Sequence, residues 1–319
     1  MNPHLLDFVA RDTCPACNSA NSRTRYSCSF DRDPIASYLS QRYGIDTARL
    51  AGANYRLDEC LSCGVIYQQQ VGDHELLTEL YSDWISRTKP PNDDAGYSFD
   101  VRHPLQSRDG HEIMSASAFL RVPLGKMNVL DYGMGWASWG RIARALGCKT
   151  FGTDLSEDRT EFARSLGITI VEDADLGSGR FDFINTEQVM EHLTEPSQVT
   201  QRLAASLRAG GVLKISVPSN RGVEGLLRRL KAGQSSISHG EIMPVHPLEH
   251  VNCFTRAGLC RLGQRFGLEP VIPGWLDGYA FLRRRGTLAI HPKRLAKELI
   301  RPWYQFHNPR NLYVWLRKA

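Results

Sequence analysis

The sequence predicts an α/β protein, a doubly wound and mostly parallel sheet behind a small cysteine-bearing N-terminal module. Three observations predict it. From residue 106 onward β and α signals alternate, two CxxC pairs precede that alternation, and the polar, proline-containing stretch TKPPNDDAGYS separates the two regions. A chain of 319 residues has room for one large domain and one small one. The expected organisation is a module with a short helix over 1–85, a linker over 86–105 and a main domain over 106–319. The main domain carries a lid at 231–254 and a basic insertion at 282–310.

Taken in order, the alternation begins with a leading helix at 111–121, then strand MNVLDYG and a helix at 136–146. Strand KTFGTD, a helix at 156–166, and strands ITIVE and FDFINT follow. A helix at 196–208 and strand GVLKISVP complete the parallel set. At the C-terminus NLYVWLRK alternates bulky residues and reads as one further strand.

With 42% hydrophobic and 23% charged residues the composition is that of an ordinary globular protein. No apolar run approaches the ~18 residues needed to span a bilayer. The start, MNPHLLDFVARD, lacks the basic region and apolar core of a signal peptide, so a cytoplasmic location is the default expectation. The formal charge of +5 is unevenly placed. Residues 281–319 hold ten Lys or Arg against the single acid Glu298, leaving a slightly acidic body.

Of the eight cysteines, four form the pairs Cys14/Cys17 and Cys60/Cys63. In a reducing compartment such pairs suggest metal before disulfide. A CxxC turn aims two thiolates at one ion, and two turns complete a tetrahedron that suits structural zinc. Asn18 and Gly64, each directly after a second cysteine, tolerate the left-handed conformation such a turn needs. The 42 residues between the pairs exceed the usual ~15–20, so an insertion between the two knuckles is expected. A redox pair or unligated thiols are the alternatives.

VLDYGMGWASWG, residues 129–140, is a strand-to-helix turn beyond which a ligand should sit. Gly133 and Gly135 allow close approach of the backbone, and the following helix aims its positive end at the site. Asp154 ends the second strand, where its carboxylate suits the two hydroxyls of a ribose. A dinucleotide is the competing ligand, but Ser138 stands where GxGxxG requires its last glycine. Asp131, two residues before Gly133, would repel a pyrophosphate and suits a cationic ligand carrying an ammonium. S-adenosylmethionine has a sulfonium, an amino group, a ribose and no phosphate.

Over about residues 105–319 the chain resembles the class I S-adenosylmethionine-dependent methyltransferases. VLDYGMG is similar to their first motif, GTDLS to the ribose-binding strand end and VEDAD to the adenine-side loop. FDFINTEQVMEHL and LRAGGVLKISVP resemble their fourth and fifth strands. The resemblance implies a Rossmann-like seven-stranded sheet whose last strand is antiparallel. It also implies cofactor contacts at Asp131, Gly133, Gly135, Asp154, Asp173 and Ala174, with Gln188 toward the methionine end. Ala137 departs from the commonest glycine pattern. The zinc region CPxC…CxxCG followed by ELLTELYSDW is similar to that of zinc-bearing sugar C-methyltransferases.

The lid segment places His239, His246 and His250 with Glu241 and Glu249 within twelve residues. Histidine titrates near neutrality and a neighbouring carboxylate strengthens it as a base. Glu249-His250 resembles the pair with which the sugar C-methyltransferases help remove a proton from the acceptor. Alternatively the EHxxxFT stretch anchors the lid, with Thr255 capping the next helix. His192, in MEHLTEP, lies at the turn after the fourth strand and is expected to position the acceptor.

The basic insertion admits an anionic membrane surface, a phosphate-bearing acceptor or a solvated helix face. Nucleic acid is disfavoured: NTEQ carries neither a Pro-Pro-aromatic motif nor a cysteine to attack a base, and the body is acidic. The function expected is therefore methyl transfer from S-adenosylmethionine to a small-molecule or carbohydrate-like acceptor, nucleotide- or lipid-linked sugars included. A catalytically silent scaffold that holds a partner is the alternative, and a dehydrogenase ranks third.

Overall fold

The computed structural model describes residues 5–85, 95–283, 296, 299–300 and 310–319. Its centre is a seven-stranded sheet. The strands of the whole chain are β1 Phe8–Ala10, β2 Ser22–Ser29, β3 Asn54–Cys60, β4 Ile66–Gln68 and β5 Gln70–Gly72. Then come β6 Asn128–Tyr132, β7 Lys149–Thr153, β8 Thr169–Ile170, β9 Phe181–Glu187, β10 Leu207–Pro218, β11 Asn252–Cys253, β12 Leu268–Val271 and β13 Asn311–Lys318. The large sheet has the order β12-β13-β10-β9-β6-β7-β8, and β13 runs antiparallel to both neighbours. Strand order reverses between β6 and β9, so the ligand crevice of such a sheet opens at their carboxyl ends.

Side chains alternate along each strand and divide the core. Val129, Phe183, Val212 and Trp315 meet Ile113, Trp139 and Ile142 on one face. Leu130, Ile184, Leu213 and Leu316 meet Leu203 and Leu259 on the other. The first face is covered by two helices, Arg108–Leu120 and Ser138–Ala145. Ser107 starts the former by accepting the Gly110 N–H, and Arg121 ends it in a left-handed conformation. The other face is covered by the helices Pro196–Ser206 and Arg256–Gln264, together with Cys14, Cys60, Cys63, Val65 and Tyr67. The cysteine knuckles thus share a core with the sheet.

Strands β2, β3, β4 and β11 form a second, antiparallel sheet, ordered β11-β4-β3-β2. Its edge strand β11 comes from the far side of the sequence, where Asn252 and Cys253 pair with Tyr67 and Ile66. The stretch between the two cysteine pairs includes the helix Ile35–Tyr43, which buries Ile35, Tyr38 and Leu39. Residues 86–94 of the expected linker lie outside the described residues, while Ala95–Arg102 is helical. The basic insertion lies outside them at 284–309 apart from three positions, and with it the membrane and phosphate readings. Among the described residues no helix is long and apolar enough to cross a membrane.

Candidate active site

The turn after β6 is built around two left-handed glycines. Gly133 (φ 68°) donates its N–H to the Thr153 carbonyl at 2.9 Å. Gly135 (φ 54°) donates to Asp154 Oδ2 at 2.8 Å. The other Asp154 oxygen accepts from the Ser156 N–H at 3.1 Å. Arg159 also donates to that second oxygen at 3.4 Å, so of about four acceptor positions on the carboxylate Asp154 keeps about one for a ligand hydroxyl. Ala137 is also left-handed (φ 56°) and fully buried, at a cost of about 1–2 kcal/mol that glycine would avoid. The turn therefore keeps its conformation without the missing glycine.

The two glycines differ in surroundings. A Cβ on Gly133 would come within 2.6 Å of Val189 Cγ2, whereas one on Gly135 meets nothing within 4 Å. Replacing Gly133 with Ala will lower stability by about 2–4 kcal/mol through backbone strain and overpacking. Gly135→Ala will cost only about 1–2 kcal/mol, from strain alone. Urea unfolding of both variants checks this, and equal losses would contradict it.

Asp131 is buried, and both its oxygens are engaged inside the protein. It accepts from the Gly140 N–H at 3.2 Å and from Asn185 Nδ2 at 2.8 Å. Burial pushes its carboxyl up to about 7, opposed by the Asn185 hydrogen bond and the Lys214 charge. Asp131 thus ties β6 to the helix after the turn, and both its oxygens are turned to partners inside the protein rather than to a ligand ammonium. Asp131, Asn185 and Lys214 lie in register across β6, β9 and β10, on the face under Glu112. Lys214 Nζ reaches Asn185 Oδ1 at 2.8 Å and Glu112 at 3.1 Å, and also bonds Glu187. Sequence reasoning missed this row. Its signal was a lysine and an asparagine inside otherwise apolar strands.

At the end of β9, Gln188 adopts φ 54°, and its buried Nε2 has no hydrogen-bond partner. An unpaired buried amide costs about 1–3 kcal/mol, and an anionic ligand group at this edge would satisfy it. Asp173 and Ala174 lie in a 3-10 turn, Asp173–Asp175, and the Asp173 side chain is outside the described set. Leu155, directly after Asp154, is fully exposed.

The turn 188–193 is held by long-range bonds. Asn252 donates to the Leu193 carbonyl at 2.7 Å, and buried Arg11 donates to Asn252 Oδ1 at 2.8 Å and to the Val251 carbonyl at 2.7 Å. This brings His192 against His250, with ring centroids 4.6 Å apart and the rings perpendicular. Tyr81 contacts His192 Nδ1 at 3.2 Å. His250 donates its Nδ1–H to the Met243 carbonyl at 2.5 Å, and burial drives its basicity down to about 2. Glu249 and His250 are neighbours in sequence only. The Glu249 carboxylate bonds the Tyr43 hydroxyl and lies 3.7 Å from Arg42 and 3.6 Å from His246. The Tyr38 hydroxyl bridges His239 (2.9 Å) and His246 (2.7 Å). Tyr38, Tyr43 and Tyr81 come from the N-terminal region, which is why no local motif disclosed them.

The four knuckle cysteines converge with their sulfurs all within 4.8 Å of one another. Cys14 and Cys63 stand 3.6 Å apart, and Cys17 and Cys60 stand 3.5 Å apart. Asn18 (φ 60°) and Gly64 (φ 75°) are both left-handed, and their N–H groups return to the Cys14 and Cys60 carbonyls.

A family model described as a methyltransferase domain matches residues 74–272, more than half of the chain. The ubiquinone biosynthesis O-methyltransferase of Thiobacillus denitrificans is 25% identical over 160 residues, spanning 47% of this chain and 67% of that one. That of Bordetella avium is 27% identical over 161 residues, spanning 44% and 65%. The chain therefore spans about two thirds of the length of these curated relatives. Similar solved structures include the 1,6-didemethyltoxoflavin-N1-methyltransferase of Burkholderia thailandensis, 20% identical, covering 77% of this chain and 90% of that one, with a TM-score of 0.40. The plantazolicin methyltransferase BpumL in complex with SAH is 17% identical, covering 76% and 94%, with a TM-score of 0.45. The chain belongs to the methyltransferase-domain family, and it is a class I enzyme that takes its methyl group from S-adenosylmethionine.

Proposed function

We propose that the methyl group is passed to a small, polar, carbohydrate-like acceptor held against His192 and His250. The observation that carries this is the meeting of those two rings, one from the turn after β9 and one from the lid, next to Tyr81. Methyl transfer is an in-line displacement at the sulfonium, so the enzyme contributes chiefly by fixing the angle and distance of attack. In this reading Asp154 takes the ribose and Gln188 the methionine end, while Gly133 and Gly135 admit the cofactor backbone. Asp173 and Ala174 stand on the adenine side.

Glu249 turns toward Tyr43 and Arg42, so it does not pair with His250 as the partner of a base. His192 and His250 accordingly orient the acceptor, and Glu249 braces the lid against the N-terminal helix. The polar lining of tyrosine and imidazole supports a hydroxyl-rich acceptor, in keeping with the resemblance to sugar C-methyltransferases.

The same reading gives the knuckle cysteines a structural zinc ion. A tetrahedron of thiolates about 2.3 Å from zinc has edges of about 3.8 Å, close to the observed separations and far from a disulfide of about 2.05 Å. A cytoplasmic location and a peripheral contact of the basic segment with anionic lipid belong to the same proposal.

The test is transfer of labelled methyl from S-adenosylmethionine to a panel of nucleotide-linked sugars, free sugars and phenols. His250→Gln should lower turnover at least 100-fold on the true acceptor and leave cofactor affinity within about threefold. Transfer to phenols alone would replace the carbohydrate-like acceptor with an aromatic one.

A further inference from the structure

Beside the acceptor position stands a buried carboxylate that nothing in the protein uses. Glu191 is 1% exposed, and both its carboxylate oxygens lack a hydrogen-bond partner. A buried charge normally persists only when it is paired or coordinates a metal. His192 and His250 stand beside it, and one ligand atom from each of the three lies within 4.8 Å of the others.

We propose that Glu191, His192 and His250 form a second metal site, for a borderline divalent cation such as Zn2+ or Mn2+, at which the acceptor oxygen is activated. Two imidazoles and one carboxylate are the donors that suit such ions, whereas Mg2+ prefers oxygen alone. A histidine that binds metal through one nitrogen almost always donates its other N–H to a carbonyl or carboxylate. His250 does this through Nδ1–H to the Met243 carbonyl, leaving the Nε2 lone pair free for an ion. Ligand atoms about 2.0–2.2 Å from an ion stand about 3–3.5 Å apart, a separation that the three side chains, already within 4.8 Å of one another, reach on occupancy.

Three protein ligands leave coordination positions open, as a catalytic rather than a structural site requires. A hydroxyl or enol acceptor bound there loses its proton to water more readily. Its oxygen, or the carbon of its enolate, then forms the new bond to the methyl carbon. The methyl–sulfur bond breaks, its electron pair returns to sulfur, and S-adenosylhomocysteine leaves uncharged. This role rests on the acceptor position proposed above and supplies the activation that His250 alone does not.

Cobalt titration of the purified full chain tests the site, because sulfur and nitrogen–oxygen sites give different spectra. Wild type should take up two equivalents. One should show intense thiolate-to-cobalt charge transfer from the knuckles, the other only weak ligand-field bands. Glu191→Gln keeps shape and removes the charge. It should abolish the weak bands and the Mn2+-induced rise in melting temperature, weakening the second equivalent at least 100-fold and leaving the first intact. His192→Ala should do the same, and Cys60→Ser the reverse. A single equivalent in wild type, or a second one indifferent to both Glu191→Gln and His192→Ala, would overturn the site. Methyl transfer that persists in its absence would leave the proposed activity standing, whereas cobalt at the triad without transfer to any acceptor would do the opposite.

Discussion

Lys214→Met will destabilise the protein by about 3–5 kcal/mol, the usual result of removing one partner from a buried ionic network. Its ammonium is 1% exposed and lies against Glu112, Glu187 and the Asn185 carbonyl oxygen. Removing it strands the buried Glu112, while Glu187, about one third exposed, keeps Arg108 at 3.6 Å. The loss also reaches the cofactor turn, since Asn185 carries the row on to Asp131. Asp131 has its carboxyl raised from 3.8 to about 7. A folded-state pKa above the unfolded one means that this group contributes stability in full below about pH 4. That contribution is lost as pH rises toward 7. Without Lys214 the pKa of Asp131 rises further, so in the variant the decline continues beyond pH 7. Asp109 also faces Asp131 and pushes in the same direction. Urea unfolding at pH 5, 6, 7 and 8 measures both effects. A loss below 1 kcal/mol, or a parallel pH profile, would show that the row is not coupled. Adding Glu112→Gln to Lys214→Met should restore part of the loss, because one stranded charge is then removed.

Cys60→Ser should bring down the N-terminal sheet and the lid together. Cys60 is fully buried and shares its core with Leu213, Phe254 and Leu259. Structural zinc contributes on the order of 10 kcal/mol to small modules, so the loss of one thiolate is expected to lower the melting temperature by roughly 10 °C or more. The lid is held by β11 on β4 and by the Thr255 hydroxyl, which donates to the Cys63 carbonyl at 2.7 Å. Limited proteolysis should therefore open the 231–254 segment in this variant. Cys28→Ser, outside the cluster, should leave metal content and lid unchanged. Unaltered zinc content in Cys60→Ser would remove the metal from the knuckles.

The elements legible in the sequence are those whose own residues settle them. NLYVWLRK forms a strand over its full length because its bulky side chains alternate at the period of a strand, and the structure pairs it with β10 and β12. The helix expected at 156–166 occurs as Glu157–Ser165. The turn at Gly133 and Gly135 was legible because strand, turn and helix are contiguous. What was not legible depends on neighbours. β10 begins at Leu207, ahead of the expected Gly211, with an irregular register that lets the chain join the sheet early. β12 contains Pro270, which argues against a strand everywhere except at a sheet edge, where this one lies. β11 is two residues long and exists because β4 offers an edge for it.

The acceptor side shows the same division. The sequence by itself determined the alternating order of elements, the pair of cysteine knuckles and the chemistry of the methyl donor. Each of these follows from periodicity, turn conformation or charge among residues close in the chain. It also named His192, His250 and Glu249 without saying which of them meet. Only the tertiary structure decided that His250 faces His192 and Glu191, while Glu249 turns to Tyr43 and Arg42. The physical reason is that consecutive side chains need not share a partner. Arg11 and Asn252 bring the lid onto the turn after β9 through hydrogen bonds spanning more than fifty residues, and no local pattern encodes such bonds.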